Sequence, residues 1–222
     1  MRPPRGLTIA LLLAAACSAR RPHQPPDLSG FLDDYSLLRP GAPGDVALVY
    51  RNPEARWTTY DKVLLEPVTL WRSGRKSLDA VPEGDLLRLI ASLEGAVRRR
   101  LGDGFQLVDA PQPGAMRIRL AITEARASDP VLDVLRARGD DATTSGSGPL
   151  HSETQRFIEG AQIEGEIRDA NTDQLLAAGV DRRRRQGALP IETWADVDKA
   201  LAFWAERVCA RLEARVGGQG PP

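Results

Sequence analysis

Few side chains in this 222-residue sequence are of the types that commonly act in catalysis or metal binding. The histidines are His23 and His151, and the cysteines are Cys17 and Cys209. Metal sites built from Cys and His need these residues clustered at short spacing, and here they are too few and too scattered. The sequence also has no Gly-x-Ser-x-Gly turn, no His-Glu-x-x-His segment and no phosphate-binding glycine loop. It therefore predicts no catalytic site, no metal site and no cofactor.

Pairs of acidic residues are the remaining candidates for acid–base chemistry. They occur at residues 33–34 and 140–141, and as Glu164 with Glu166. Side chains two residues apart on a strand project from the same face, so Glu164 and Glu166 have the spacing for a shared site. General acid catalysis would also need one carboxyl in an apolar pocket. The commoner meaning of such a pair is a solvated strand face, and a small hydrolase using Glu164, Glu166 or Asp33 stays open as the alternative.

The densest charge cluster is the arginine run Arg182, Arg183, Arg184 and Arg185. The whole chain is neutral, with 30 Lys plus Arg against 30 Asp plus Glu, which argues against a nucleic-acid partner. Guanidinium groups bind phosphates and anionic lipids well. The run is therefore a candidate patch for an anionic partner, and a charged strand end that discourages edge pairing is the alternative.

Hydrophobic periodicity predicts the helices that would position these side chains. Apolar residues recur at steps of three and four over residues 86–101 and 197–212, which is typical of amphipathic helices. Pro82 suits the first turn of the earlier helix. Thr193 and Asp196 have the spacing of a cap for the later one.

Two residues of the later helix are interpreted from their positions. Trp204 lies on the apolar stripe and is predicted to be buried in the core. Cys209 borders the same stripe and is interpreted as a small apolar residue rather than a reactive thiol.

Alternating polarity and turn residues predict the strands. Pro67 interrupts the first of them, which favours an edge strand or a bulge there. The last two form a hairpin with a turn at residues 169–173. The predicted strands are 60–70, 105–108, 116–123, 157–167 and 175–181. We expect an α+β fold, with a mostly antiparallel sheet of four to six strands and two amphipathic helices packed on one face.

Other segments have weaker patterns. Residues 46–60 predict an ordered but irregular lead-in. Residues 131–136 predict a short helix, and the polar, glycine-rich residues 139–149 predict a flexible surface loop.

The beginning of the chain has the layout of a bacterial signal peptide. Arg2 and Arg5 precede an apolar run at residues 7–16, which is about half of the roughly 20 residues that span a bilayer. The segment Leu13-Ala14-Ala15-Ala16-Cys17 resembles the lipobox of bacterial lipoproteins, although that motif more often has Leu where this chain has Ala14. The resemblance implies that residues 1–16 are removed as a signal peptide and that the Cys17 sulfur is acylated. Simple secretion is the alternative.

The same resemblance predicts where the protein is held. Ser18 replaces the Asp that retains such lipoproteins in the inner membrane, which implies the outer membrane with the domain facing the periplasm. Residues 17–27 then form the lipidated cysteine and a Pro/Arg-rich tether. Residues 28–216 form a single domain, and residues 217–222 a flexible tail. Cys209 has no partner cysteine in this arrangement, so we expect no disulfide.

The segment Ser-Gly-Phe-Leu-Asp-Asp-Tyr-Ser-Leu-Leu at residues 29–38 resembles the opening motif of a family of bacterial lipoproteins, the domain of unknown function 3313 family. Residues 116–123, 164–169 and 203–207 extend the resemblance over most of the chain. The family brings no established activity or site residues. The expectation is therefore a cell-envelope lipoprotein with a non-enzymatic binding or adaptor domain, anchored in the membrane by its lipid, whose partner is another envelope protein or a cell-wall component.

Overall fold

The computed structural model describes residues 28–42, 45–72, 77–124, 150–182 and 191–218. These residues form an α+β fold with eight strands in one sheet and three α-helices. The strands are β1 (Arg39–Pro40), β2 (Leu48–Arg51), β3 (Lys62–Leu65), β4 (Thr69–Trp71), β5 (Gln106–Leu107), β6 (Ala115–Glu124), β7 (Ala161–Asp169) and β8 (Leu175–Arg182). The helices are α1 (Glu83–Gly104), α2 (Ser152–Gly160) and α3 (Trp194–Val216).

The sheet is mixed, with the strand order β1-β2-β8-β7-β6-β3-β5, and β4 pairs with β6 beyond the end of β3. All pairs from β1 to β6 in this order are antiparallel, whereas β3 and β4 run parallel to β6, and β5 runs parallel to β3. The sheet therefore has eight strands rather than the predicted four to six, and three of its pairings are parallel, which the mostly antiparallel prediction did not include. Helix α1 carries the chain from β4 back across the sheet, which makes the following strands parallel. Hydrophobic alternation does not indicate whether two strands run parallel or antiparallel. Strands β1 and β5, with two residues each, are too short to show alternation at all.

The interruption predicted at Pro67 is confirmed. Strand β3 pairs with β6 through Val63 and Met116, and β4 resumes the pairing through Leu70 and Ile122. Proline has no backbone N–H to donate to a ladder, so the single predicted strand becomes two. Strand β3 lies between β6 and β5, whereas β4 pairs only with β6 and is an edge strand, as the proline predicts.

The two long helices form where periodicity predicts them. Helix α1 begins directly after Pro82, which is its N-cap residue. Helix α3 begins after Thr193, whose hydroxyl accepts from the Asp196 amide while the Asp196 carboxylate accepts from the Thr193 amide. Both helices pack on the same face of the sheet and contribute to the larger core, together with Met116 of β6.

Two segments differ from the expectation. Residues 152–160, which include the start of a predicted strand, form α2, with Thr154, Phe157 and Ile158 buried at helical spacing. The predicted irregular lead-in contains strand β2 and a 3-10 turn at Trp57–Thr59. The predictions for residues 131–136 and 139–149 lie outside the described residues.

The second face of the sheet is covered by the segment at residues 28–38. Phe31, Leu32 and Leu38 form a smaller core with Ala121 and Val180 of the sheet. The central strands are therefore buried on both sides. None of the helices in the described ranges is long and apolar enough to cross a membrane.

Candidate functional site

Strand β7 presents different chemistry on its two faces. One face is polar and lies against the 28–38 segment, and the other is apolar and lies against the helices. The polar side chains are Gln162, Glu164 and Glu166, and the positions toward the helices are Ile163, Gly165 and Ile167.

On the polar face, Glu164 is 0% exposed and is held by three neutral donors. Its Oε2 accepts from the Tyr35 hydroxyl at 2.5 Å. Its Oε1 accepts from the Thr123 hydroxyl at 3.0 Å and from the Gln162 amide at 2.9 Å. The interpretation of this strand face as solvated is therefore wrong, because the chain folds back over it. Buried polar groups in folded proteins are nearly always hydrogen-bonded, as Glu164 is here.

Glu166 lies two residues further along and is 3% exposed. Its two carboxylate oxygens accept from Arg119 at 2.5 Å and from Arg168 at 3.0 Å. Arg168 also pairs with Asp33 at 3.0 Å, and the hydrogen bond to Glu166 is the main cause that raises the pKa of Arg168. Arg168 thus links Asp33 to Glu166, a connection that the sequence did not indicate, whereas the pairing of Glu164 and Glu166 on one strand face was expected.

Tyr35 connects the covering segment to strand β7. Its hydroxyl donates to Glu164 and accepts from the amides of Gly30 at 3.0 Å and Leu32 at 3.2 Å. Burial, followed by the hydrogen bond to Glu164, raises the pKa of Tyr35. A substrate has no access to Glu164 or Glu166 while this segment lies over them, so the cluster has the geometry of a structural network.

We expect Tyr35→Phe to lower the free energy of unfolding by about 1.5–3 kcal/mol, because it leaves the buried Glu164 carboxylate without one donor. Chemical denaturation measures the change. Tyr50→Phe is the matched control, since the Tyr50 hydroxyl makes no hydrogen bond within the described ranges, and its effect should stay within about 0.5 kcal/mol. Equal effects of the two changes would contradict the role given to Tyr35.

His151 has a partner that the sequence analysis missed. Its Nδ1 lies 2.9 Å from Asp85 Oδ2, and the Thr154 hydroxyl donates to the same oxygen at 2.5 Å. In a nucleophilic triad the hydroxyl bonds to the imidazole, whereas here it bonds to the carboxylate. The contact links the start of α1 to the start of α2, and 66 residues separate the pair in sequence, so no local pattern could indicate it.

On the apolar face, a cavity of about 380 Å³ lies between α3 and strands β2, β7 and β8. Its walls come from the sheet and from apolar side chains of α1, α3 and the 3-10 turn at Trp57–Thr59. Those that define it are Val49, Trp57, Val97, Ile163, Ile167, Trp204, Val208 and Leu212.

The cavity exists because the sheet has no side chains at its centre. Gly179 of β8 pairs directly with Gly165 of β7, and Val49 and Leu120 flank them in the same row across the sheet. A Cβ at Gly165 would meet the Leu120 side chain at 2.6 Å and the Arg119 carbonyl oxygen at 3.2 Å, so a larger residue would require its neighbours to shift. Two adjacent glycines under a helix leave space that the neighbouring side chains do not fill.

Several charged side chains lie at the border of the cavity. Asp181 accepts from the Trp204 indole N–H at 3.0 Å, and burial raises the pKa of Asp181. Asp45 pairs with Arg51 at 2.5 Å and lies 3.8 Å from Arg211. Arg215 lies over the Trp57 ring, 5.7 Å from its centroid.

Comparison with known proteins identifies the family. Residues 27–208 match the family described as Protein of unknown function (DUF3313). The chain belongs to this family. No curated protein and no solved structure matches it. The matched range contains the carboxylate cluster and most of the cavity wall, so both are features of the DUF3313 domain of this chain.

The remaining predicted residues of this DUF3313 protein have the following positions. Trp204 is half-buried, because it forms a wall of the cavity. The prediction that it is buried in the core is therefore wrong. Cys209 is buried, which raises its pKa to about 12 and confirms a small apolar residue rather than a reactive thiol. Arg182 ends β8. Cys17 and residues 183–185 lie outside the described ranges.

Metal binding has no geometric basis in the described part of this DUF3313 domain. No group of three or more His, Cys, Asp or Glu side chains converges there. The acidic groups that do meet are already paired with arginines or neutral donors.

Proposed function

We propose that this protein is a bacterial cell-envelope lipoprotein whose domain is a non-enzymatic binding module that takes an apolar ligand in the cavity under α3. Its lipid anchor is Cys17, and the domain faces the periplasm from the outer membrane. The anchor is supported by the apolar run and the lipobox-like segment at residues 13–17. The binding role is supported by the cavity.

The cavity is the observation that carries the proposal. Small-ligand sites are mostly apolar cavities of roughly 300–1,000 Å³ with a few polar groups at defined places, and this one has the same character. An unfilled space in an apolar core lowers the stability of the fold. A ligand that occupied it would recover that loss by burying apolar surface on both partners.

A binding role also accounts for the carboxylates better than hydrolysis does. Glu164 and Glu166 lie beneath the 28–38 segment, with their oxygens occupied by hydrogen bonds. A general acid or base must reach the proton that it transfers, and these side chains are covered. A surface partner from the envelope or the cell wall is compatible with the cavity, and Arg182, Arg183, Arg184 and Arg185 remain our candidate patch for an anionic one.

The test is binding of the neutral fluorescent probe N-phenyl-1-naphthylamine to the chain of residues 18–222, which retains every described residue of both cores. We expect saturable fluorescence enhancement. Ala177→Leu places a larger side chain in the cavity and should weaken binding about tenfold or more, since it removes the space that the probe occupies.

Ala202→Leu is the matched control, because Ala202 is exposed on α3 and the substitution adds the same atoms outside the cavity. It should bind the probe like the unmodified chain. The proposal fails if the unmodified chain shows no saturable enhancement, or if Ala177→Leu and Ala202→Leu bind equally well.

A further inference from the structure

We propose that the ligand of the cavity is an anionic amphiphile, whose apolar chain lies under α3 and whose carboxylate or phosphate group lies against Arg51, Arg211 and Arg215. This inference rests on the proposed function, because it assumes that the cavity takes an apolar group. It adds the chemical class of the ligand and the residues that select it.

Within the described ranges, Arg51, Arg211 and Arg215 have only one carboxylate paired with them at the cavity, that of Asp45. Arg51 pairs with Asp45 at 2.5 Å, and Arg211 lies 3.8 Å from the other oxygen of the same carboxylate. Arg215 lies over the Trp57 ring rather than against a carboxylate. The other carboxylates that line the cavity are engaged elsewhere, because Asp181 accepts from the Trp204 indole and Glu166 pairs with Arg119 and Arg168. Asp45 is therefore the one lining carboxylate in the described part of the chain that pairs with these guanidiniums, which leaves them short of negative partners.

Arg215 lies at the border of the cavity, partly buried and close to Arg51. Burial, followed by the nearby charge of Arg51, lowers the pKa of the Arg215 guanidinium, whereas Asp45 raises it. An anion placed beside Arg215 would favour its protonated form. Guanidinium groups bind carboxylates and phosphates through two parallel hydrogen bonds, so both head groups fit the same residues.

Helix α3 connects the apolar and basic parts of the site. Trp204, Val208 and Leu212 line the cavity at steps of four residues along the helix. Arg211 and Arg215 line it at the same spacing, toward the C-terminal end of α3. A linear molecule lying along this helix would therefore contact apolar side chains at one end and guanidiniums at the other.

The experiment compares four ligands with one common alkyl chain, each displacing N-phenyl-1-naphthylamine from residues 18–222 below its micellar concentration. They are dodecanoate, dodecyl phosphate, dodecanol and dodecyltrimethylammonium. We expect both anions to bind about tenfold or more tightly than dodecanol, because charge-assisted hydrogen bonds add to the burial of the chain. The cation should bind most weakly. Added salt should weaken only the binding of the anions.

The double variant Arg211→Gln with Arg215→Gln removes two guanidiniums but retains side chains of similar length. It should bind the anions no better than dodecanol, and its own affinity for the neutral probe, measured alongside, is the reference for each displacement. Arg99→Gln is the matched control, since Arg99 is exposed on α1 away from the cavity. It should not change any of the affinities.

The outcomes separate the two proposals. Equal binding of dodecanol and the anions, or unchanged anion binding by the double variant, would overturn the inference and leave an apolar binding module. Absence of saturable probe binding by the unmodified chain would overturn the proposed function together with the inference. Preference for dodecanoate over dodecyl phosphate, or the reverse, would assign the head group.

Discussion

Changing Cys17 to serine is expected to abolish acylation of this protein. The substitution removes the sulfur that the lipobox-like segment presents, so no diacylglycerol can be attached there. We expect the variant to remain as an uncleaved precursor or to leave the lipidated membrane fraction. In the proposed anchor, acyl chains would contribute roughly 0.8 kcal/mol for each buried methylene, so their loss would release the chain from the membrane.

Radiolabelled palmitate measures this directly. The unmodified chain should take up label, and Cys17→Ser should take up none. Cys209→Ser is the control, since the Cys209 thiol is buried in the core and should not be acylated. Absence of label in the unmodified chain, or label retained by Cys17→Ser, would show that the anchor is assigned wrongly.

Changing Leu93 to alanine is expected to lower the free energy of unfolding by about 2–5 kcal/mol. Leu93 is 0% exposed in the larger core, on the face of α1 that packs against the sheet. The cost combines the lost transfer energy of the side chain with the cavity left behind. A loss of this size is a large fraction of the stability of a typical domain.

Leu87 lies on the same helix and is 60% exposed, so Leu87→Ala is the matched control for the same chemical change. Its effect on the free energy of unfolding should stay within about 0.5 kcal/mol. Urea denaturation of residues 18–222 gives both values. Similar losses for Leu93 and Leu87 would mean that α1 does not pack on the face assigned to it.

The covering of β7 explains why an acidic pair became buried in a protein with no recognisable catalytic motif. The alternation of Gln162, Glu164 and Glu166 with apolar residues is typical of a strand with one solvent-exposed face. A sheet covered on only one side would leave these three side chains in water. The 28–38 segment supplies a second cover and provides the Tyr35 hydroxyl for Glu164. Sequence alone cannot show this cover, because it starts about 130 residues before the strand that it buries.

Local patterns in the sequence determined several parts of this protein. The apolar spacing at residues 86–101 and 197–212 was sufficient for α1 and α3, because a helical face repeats within a few residues. Pro67 was sufficient for the break between β3 and β4, because a missing N–H is a property of the residue itself. The hairpin of β7 and β8 was predictable for the same reason, since its strands are adjacent in the chain.

Only the tertiary structure decided the features on which the function is proposed. The cavity forms because Gly165 and Gly179 meet on neighbouring strands beneath α3. The arginines at its border come together because Arg51 of β2 lies near Arg215 of α3. The parallel pairing of β3 with β6 depends on the path of α1 across the sheet. Each of these depends on contacts between residues far apart in the chain, and no periodicity within one segment records which distant segment will lie against it.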